Sequence, residues 1–219
     1  MPKKTILFTA ALLLGQCSLF SQNIAAGIRA GYTSSTTVDR VSKSVGNFDA
    51  DDNYRPAGSL HFGADVKIPI NNRLSFVGGV LYVQKGYKVD LSNIIIGQSQ
   101  QFEFQLRYFN VPILADYRVW KGLSIQAGVE PGLLNSAWLK FDGGRSDLKG
   151  SDSYKNLDFG LLAGLEWHFQ PGFFLSARYI WGVLPVSEFF VVDDNGLSVG
   201  QARLYNRALE LGAGYRFSF

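Results

Sequence analysis

From Asn23 to Phe219 apolar and polar residues alternate through eight segments, and apart from Lys88 at the far end of the third no charged side chain falls in the apolar phase of any of them. A period of two is the signature of a β-strand with two unlike faces; a helix would need a period of 3.6. In the first segment, Asn23 to Tyr32, Ile24, Ala26, Ile28, Ala30 and Tyr32 share one phase, and Asn23, Gly27, Arg29 and Gly31 share the other. The pattern recurs at Ser59 to Ile70, Leu74 to about Val89, Phe102 to Val119, Leu123 to Leu133, Leu157 to Phe169, Phe173 to Val183 and Leu209 to Phe219. In the fourth segment the apolar phase changes from Phe102, Phe104, Leu106 and Tyr108 to Val111, Ile113, Ala115 and Tyr117, which predicts a β-bulge near Asn110, beside Pro112.

The links between segments are of two kinds in strict alternation. Asn71 to Arg73, Trp120 to Gly122 and Gln170 to Gly172 are tight turns. Thr33 to Gly58, Asp90 to Gln101, Leu134 to Asn156 and Leu184 to Ala208 read as long polar loops. Long and short links in turn describe an all-β, eight-stranded antiparallel up-and-down barrel with both termini at the short-turn end. Transmembrane barrels put short turns in the periplasm and long loops outside.

Which phase faces outward follows from the polar residues. A polar phase facing water would be rich in Lys, Glu, Thr and Ser, whereas this one carries Gly27, Gly63, Gly79, Gly128, Gly132, Gly160, Gly164 and Gly212. Glycine suits a crowded lumen. Counted with the slip in the fourth segment, the polar phase also holds Arg29, Lys67, Lys85, Arg107, Arg118, Arg178 and Arg216 against Asp65, Glu103, Asp116, Glu130, Asp158, Glu166 and Glu210. An uncharged outer face is what lipid demands, since Lys or Arg at the midplane costs about 2–4 kcal/mol. Tyr32, Tyr82, Tyr87 and Trp181 at the loop ends, and Tyr117, Trp120, Trp167, Phe169, Phe173, Phe217 and Phe219 at the turn ends, are candidate interfacial girdles. The sequence has no internal apolar run long enough for a membrane helix, and its one Cys excludes a disulfide framework.

Residues 1–22 read as a secretory signal peptide. Lys3 and Lys4 precede the apolar stretch from Thr5 to Phe20, and cleavage is expected after Gln22, leaving residues 23–219 as the barrel. Cys17 does not make a lipobox, because Gln16 stands where a small residue is needed. Loss of Lys3 and Lys4 lowers the formal charge from +3 to +1. With no clustered basic stripe, a nucleic-acid partner is not expected. The expected location is the outer membrane, integral, after export.

Eight strands enclose an interior that side chains can fill. The expected content is a structural polar network of Arg29, Asp65, Lys67, Glu130, Asp158, Glu166, His168, Arg178, Glu210 and Arg216, plugged by Phe174, Ile180, Leu162, Leu81 and Val83. Two His residues, His61 and His168, do not suggest a metal centre, and no cofactor is expected. His168 with Glu166 and Ser176 has the residue types of a lipid hydrolase. Parity turns His168 into the lumen, away from lipid, so no catalytic site is assigned. Asp49, Asp51, Asp52 and Asn53 in the first loop, and Asp193, Asp194 and Asn195 in the last, lack the spacing of an EF-hand and read as solvated loop. The expected role is structural or interactive, through four exposed loops contacting an extracellular or envelope protein. A narrow solute channel and a lipid-modifying enzyme are the alternatives.

Tyr108 to Tyr117, Y-F-N-V-P-I-L-A-D-Y, resembles the Y-x-x-I-P-L-L-x-x-Y motif of PorT-like outer-membrane β-barrels of Bacteroidetes. Leu81 to Tyr87 is similar to the end of that family's third strand, and Gly214 to Phe219 to its terminal strand. The resemblance implies insertion by the outer-membrane assembly machinery through the last strand, with Tyr215, Phe217 and Phe219 as the assembly signal. Gly79 departs from the family, many of whose members carry a lumenal Glu there.

Overall fold

The computed structural model describes residues 24–41, 54–90, 101–142, 144–149, 154–192 and 198–219. The signal segment and the acidic runs at Asp49–Asn53 and Asp193–Asn195 lie outside the described residues. The strands are β1 (Ala25–Val41), β2 (Tyr54–Pro69), β3 (Leu74–Asp90), β4 (Gln101–Asn110), β5 (Ile113–Arg118), β6 (Leu123–Phe141), β7 (Gly144–Asp147), β8 (Leu157–His168), β9 (Phe173–Gly182), β10 (Ser187–Val192) and β11 (Ser198–Ser218). They form an antiparallel ring of eight positions, closed where β1 pairs with β11 from Ala25↔Ser218 to Val41↔Ala202. β4 and β5 share one position between β3 and β6. β7 and β10 pair only at the loop end, with β6 and β11 respectively.

The tight turns fall at residues 70–73, 119–122 and 169–172. Asn71 Oδ1 accepts from the backbone N–H groups of Arg73 (2.9 Å) and Leu74 (2.8 Å), an Asx arrangement that fixes the first turn. Gly122 has φ +82°, where an L side chain is strained.

The loops are shorter than the alternation suggests, because the strands outrun it. β1 continues from Thr33 to Val41, roughly 30 Å of extended chain. β6 runs to Phe141 and β11 begins at Ser198. Beyond the apolar belt both faces carry polar groups such as Ser34, Ser35, Thr36 and Thr37, so the two-fold hydropathy signal fades while backbone pairing persists.

The bulge expected near Asn110 lies on the partner strand. Arg107 pairs with Ser136 and Tyr108 with Leu134, leaving Asn135 of β6 as the extra residue. At Val111–Pro112 pairing is interrupted but the face does not change: Tyr108, Asn110, Leu114 and Asp116 are all buried inward. The apparent phase change arose because Leu106 and Tyr108 are apolar residues of the lumen. Glu103 and Arg107 therefore fall on the outer side, contrary to expectation, where Arg107 Nε donates to Gln84 Oε1 (3.3 Å). Arg118 is exposed at the turn end.

The outer surface bears an uncharged belt that includes Ile28, Leu60, Phe62, Val80, Ile113, Ile125, Leu161, Leu165, Leu175 and Leu211, each 40% or more exposed. Tyr32 and Trp181 edge it on the loop side, and Tyr117, Trp120, Trp167, Phe169, Phe173 and Phe217 on the turn side. Tyr87 is not in the girdle. It shares the inward phase of Leu81, Val83 and Lys85 and is 4% exposed.

Candidate functional site: the charged lumen

All ten residues expected in the lumenal network point inward, and the structure sorts them into two groups. At the turn end, Arg216 is the hub. Its Nε and Nη2 donate to Asp65 Oδ1 (2.8 Å) and Oδ2 (3.0 Å), and its Nη1 and Nη2 to Glu166 Oε1 (2.5 Å) and Oε2 (3.0 Å). Arg216 on β11 thus reaches over β1 to β2 and over β9 to β8. Register explains the first reach: Arg216, Gly27 and Asp65 form one row across β11, β1 and β2. A Cβ at Gly27 would lie 2.6 Å from Arg216 Cγ. Gly164 does the same for Arg178 and Gln126, which flank it in register and meet at 2.9 Å. The Phe174 ring stacks beneath Arg216, 4.2 Å from Cζ to centroid.

Around this hub, Arg29 Nη1 approaches Asp65 Oδ2 (3.6 Å), and Arg29 Nη2 donates to Ser176 Oγ (2.6 Å). Gln126 Nε2 donates to Asp116 Oδ2 (2.9 Å). Glu210 is a register neighbour of Arg178 but neither of its carboxylate oxygens has a hydrogen-bond partner. Lys67 and His168 stand at the mouth, their side chains 13% and 29% exposed. His168 Nε2 lies 2.8 Å from Glu166 Oε1 and 3.2 Å from Lys67 Nζ. The hydrolase set is not assembled, because Ser176 is engaged by Arg29 while His168 faces Glu166 and Lys67. Asp116, Glu166 and His168 offer atoms within 4.8 Å of one another, as a metal site would. Lys67 Nζ sits among them, 2.7 Å from Asp116 and 3.8 Å from Glu166, so an ammonium already supplies the cation.

At the loop end, Lys85 Nζ donates to Asp158 Oδ2 (3.0 Å) and Glu130 Oε1 (3.3 Å). Asn110 and Asn206 donate to Glu130 and Asp158. Neutral residues such as Asn110, Gln126 and Asn206 complete both groups. Reading charges alone passes over them, although their inward phase marks them.

Between the two groups lies an apolar septum. Val77 and Leu114 from one wall pack on Leu162, Ile180 and Ala208 from the other. Along each strand the septum residue divides the inward polar groups: Asp116 from Asn110 on either side of Leu114, Glu166 from Asp158 about Leu162, and Glu210 from Asn206 about Ala208. A second apolar layer closes the loop end. Tyr87, Val186 and Leu204 pack with Tyr54, Val89 and Phe104, next to a cluster of Leu106, Tyr108, Leu134 and Ala137 that holds Leu148 and Tyr154. Tyr87 stacks on Phe104 at 4.6 Å and shares a hydrogen bond with Tyr154 (2.9 Å between hydroxyl oxygens). Burial pushes the Tyr154 hydroxyl up to about 12. Outside the cap, Lys155 Nζ donates to Glu188 (2.7 Å) and holds that carboxyl below its usual range.

A closed antiparallel ring with an uncharged, aromatic-edged belt around its exterior and a charged, packed interior defines an integral membrane β-barrel. Residues 20–188 match the family model "Outer membrane protein beta-barrel domain", and the chain belongs to that family. Solved structures similar to the chain include Ail of Yersinia pestis, at 17% identity and TM-score 0.47, covering 90% of this chain and 100% of that one. Neisserial surface protein A follows at 15% identity and TM-score 0.47, covering 88% and 99%. OprG of Pseudomonas aeruginosa has 8% identity and TM-score 0.41, covering 88% and 95%. No curated protein matches the sequence.

Proposed function

We propose that this barrel is a closed-lumen, non-enzymatic component of the outer membrane that acts through its loop-side surface, either binding an extracellular or envelope protein or bracing the envelope. The observation that carries the reading is the double closure of the lumen, at the septum and at the Tyr87–Tyr154 cap, beneath a wall of strand that continues beyond the apolar belt. Solute passage would need both layers opened, whereas the projecting strands offer surface without any rearrangement. Export by residues 1–22, contact with outer-membrane lipid, and insertion by the assembly machinery through Tyr215, Phe217 and Phe219 belong to the same proposal. So does a place among PorT-like barrels, supported by the Tyr108-to-Tyr117 motif; no role in secretion is carried over from that resemblance.

Photo-crosslinking in intact envelopes tests it. Probes on the loop-side extensions should capture a discrete protein, and exchanging those extensions while keeping the belt should abolish capture. Unchanged capture after the exchange, or steady conductance from the pure barrel, would refute it.

A further inference from the structure

In the loop-side chamber Asn110 of β4, Gly132 of β6 and Asp158 of β8 lie in one register row. Lys85 and Asn110 both donate to Glu130 Oε1, at 3.3 and 2.5 Å. Lys85 and Asn206 both donate to Asp158 Oδ2, at 3.0 and 2.9 Å. These three donors thus all go to one oxygen of each carboxylate, while the buried Tyr108 hydroxyl beside Lys85 makes no hydrogen bond. Glu130 Oε2, Asp158 Oδ1 and Asn110 Oδ1 are buried without a hydrogen-bond partner, on residues no more than 2% exposed. Gly132 lets Asn110 Oδ1 lie against the β6 backbone, since a Cβ there would collide with it and lie 3.7 Å from Asp158 Cβ.

Charge points the same way. One ammonium is hydrogen-bonded to two carboxylates in this chamber, and Glu210, which also acts on Lys85 and Glu130, is a register neighbour of Arg178. Among the described residues the inward positions between the turn end and the cap hold five basic side chains (Arg29, Lys67, Lys85, Arg178, Arg216) against six acidic ones (Asp65, Asp116, Glu130, Asp158, Glu166, Glu210), with both histidines counted neutral. The septum and the cap close the chamber on both sides, so solvent counterions do not screen the excess. Unpartnered oxygens around one uncompensated negative charge are ligands for a hard cation; soft metals prefer thiolate or imidazole. A divalent ion would leave a buried positive charge, and a monovalent one leaves none.

We infer that the loop-side chamber binds one alkali cation of sodium's size through Glu130, Asp158 and Asn110. The site ties β4, β6 and β8 together at the level where the ring widens into its loop-side extension, and it is independent of what the outer surface binds.

The test is thermal unfolding of the full barrel in detergent micelles, in sodium chloride against N-methylglucamine chloride at equal ionic strength. A saturable sodium-dependent rise in midpoint is expected, and Glu130→Gln, which removes both a ligand and the excess charge, should weaken the apparent sodium affinity at least about tenfold. Gly132→Ala, whose Cβ would displace Asn110 Oδ1, should do the same and serves if the first variant does not fold. Crystals grown with thallium(I) should show an anomalous peak among the three oxygens. Equal midpoints in both salts would overturn the inference, pointing to a proton or ordered water as the compensating species. Sodium dependence that survives both substitutions would overturn it too, by placing the ion elsewhere.

Discussion

Arg216 on β11 and Asp65 on β2 are joined by two parallel hydrogen bonds across a strand that contributes only Gly27 at that level. Taking a guanidinium out of water is costly, and the pairing restores that cost only while both carboxylate partners remain. Arg216→Met should therefore destabilise the barrel by about 3–5 kcal/mol. Urea unfolding in lipid vesicles, followed by the unboiled gel shift, measures it. Adding Asp65→Asn and Glu166→Gln should recover much of the loss; no recovery would mean that packing on Phe174 matters more than the charges.

The belt predicts a sharp contrast between two substitutions on the same strand. Ile28→Lys, at mid-belt on β1, should cost about 2–4 kcal/mol, while Thr36→Lys, outward-facing in the loop-side extension, should cost about 0–1 kcal/mol. Equal penalties in vesicle unfolding would show that the belt is misplaced along β1.

The Tyr87–Tyr154 hydrogen bond should tie the cap shut at neutral pH. Burial, against the pull of that hydrogen bond, raises the Tyr154 pKa from the ordinary 10 to about 12 in the folded chain, so the stability that depends on a neutral Tyr154 is complete below pH 10 and disappears as pH rises through about 12. Tyrosinate absorbance should show one late-titrating group fewer in Tyr154→Phe than in the parent chain. That variant should be about 1 kcal/mol less stable at pH 8, and its segment around Tyr154 should be cut faster by protease.

Pure protein in planar bilayers should show no steady conductance. Opening the cap with Tyr87→Ala and Phe104→Ala should leave it closed, since the septum remains; conductance should need Leu162→Ala and Ile180→Ala as well. A conducting cap variant would show that Val77, Leu114, Leu162, Ile180 and Ala208 do not form a barrier.

The ring was legible because lipid imposes a rule that a single sequence displays: every outward residue from Ile24 to Tyr32, or from Leu209 to Phe217, is uncharged. Strand ends were not legible, since water wets both faces beyond the belt and Thr33 to Val41 pair without any hydropathy contrast. The fourth segment misled for a related reason. Leu106 and Tyr108 are apolar because they fill the lumen, and hydropathy cannot tell a plug from a lipid contact. Inward charges could be named from parity, but their partners could not. Arg216 meets Asp65 through ring closure, which brings together residues from opposite ends of the chain, and only the intervening Gly27 hints at the crossing.

The septum has a consequence for how this molecule can change over evolutionary time. Among the described residues the turn-side and loop-side groups share no hydrogen bond, although Glu210 and Arg178 still act on Lys85 and Glu130 through space, so a lost charge is offset most directly by a change within the same group. Substitutions at Asp65, Glu166 and Arg216 should be inherited together, as should those at Lys85, Glu130 and Asp158, with little correlation between the two sets. Two halves of one lumen would then have separate mutational histories inside a single wall.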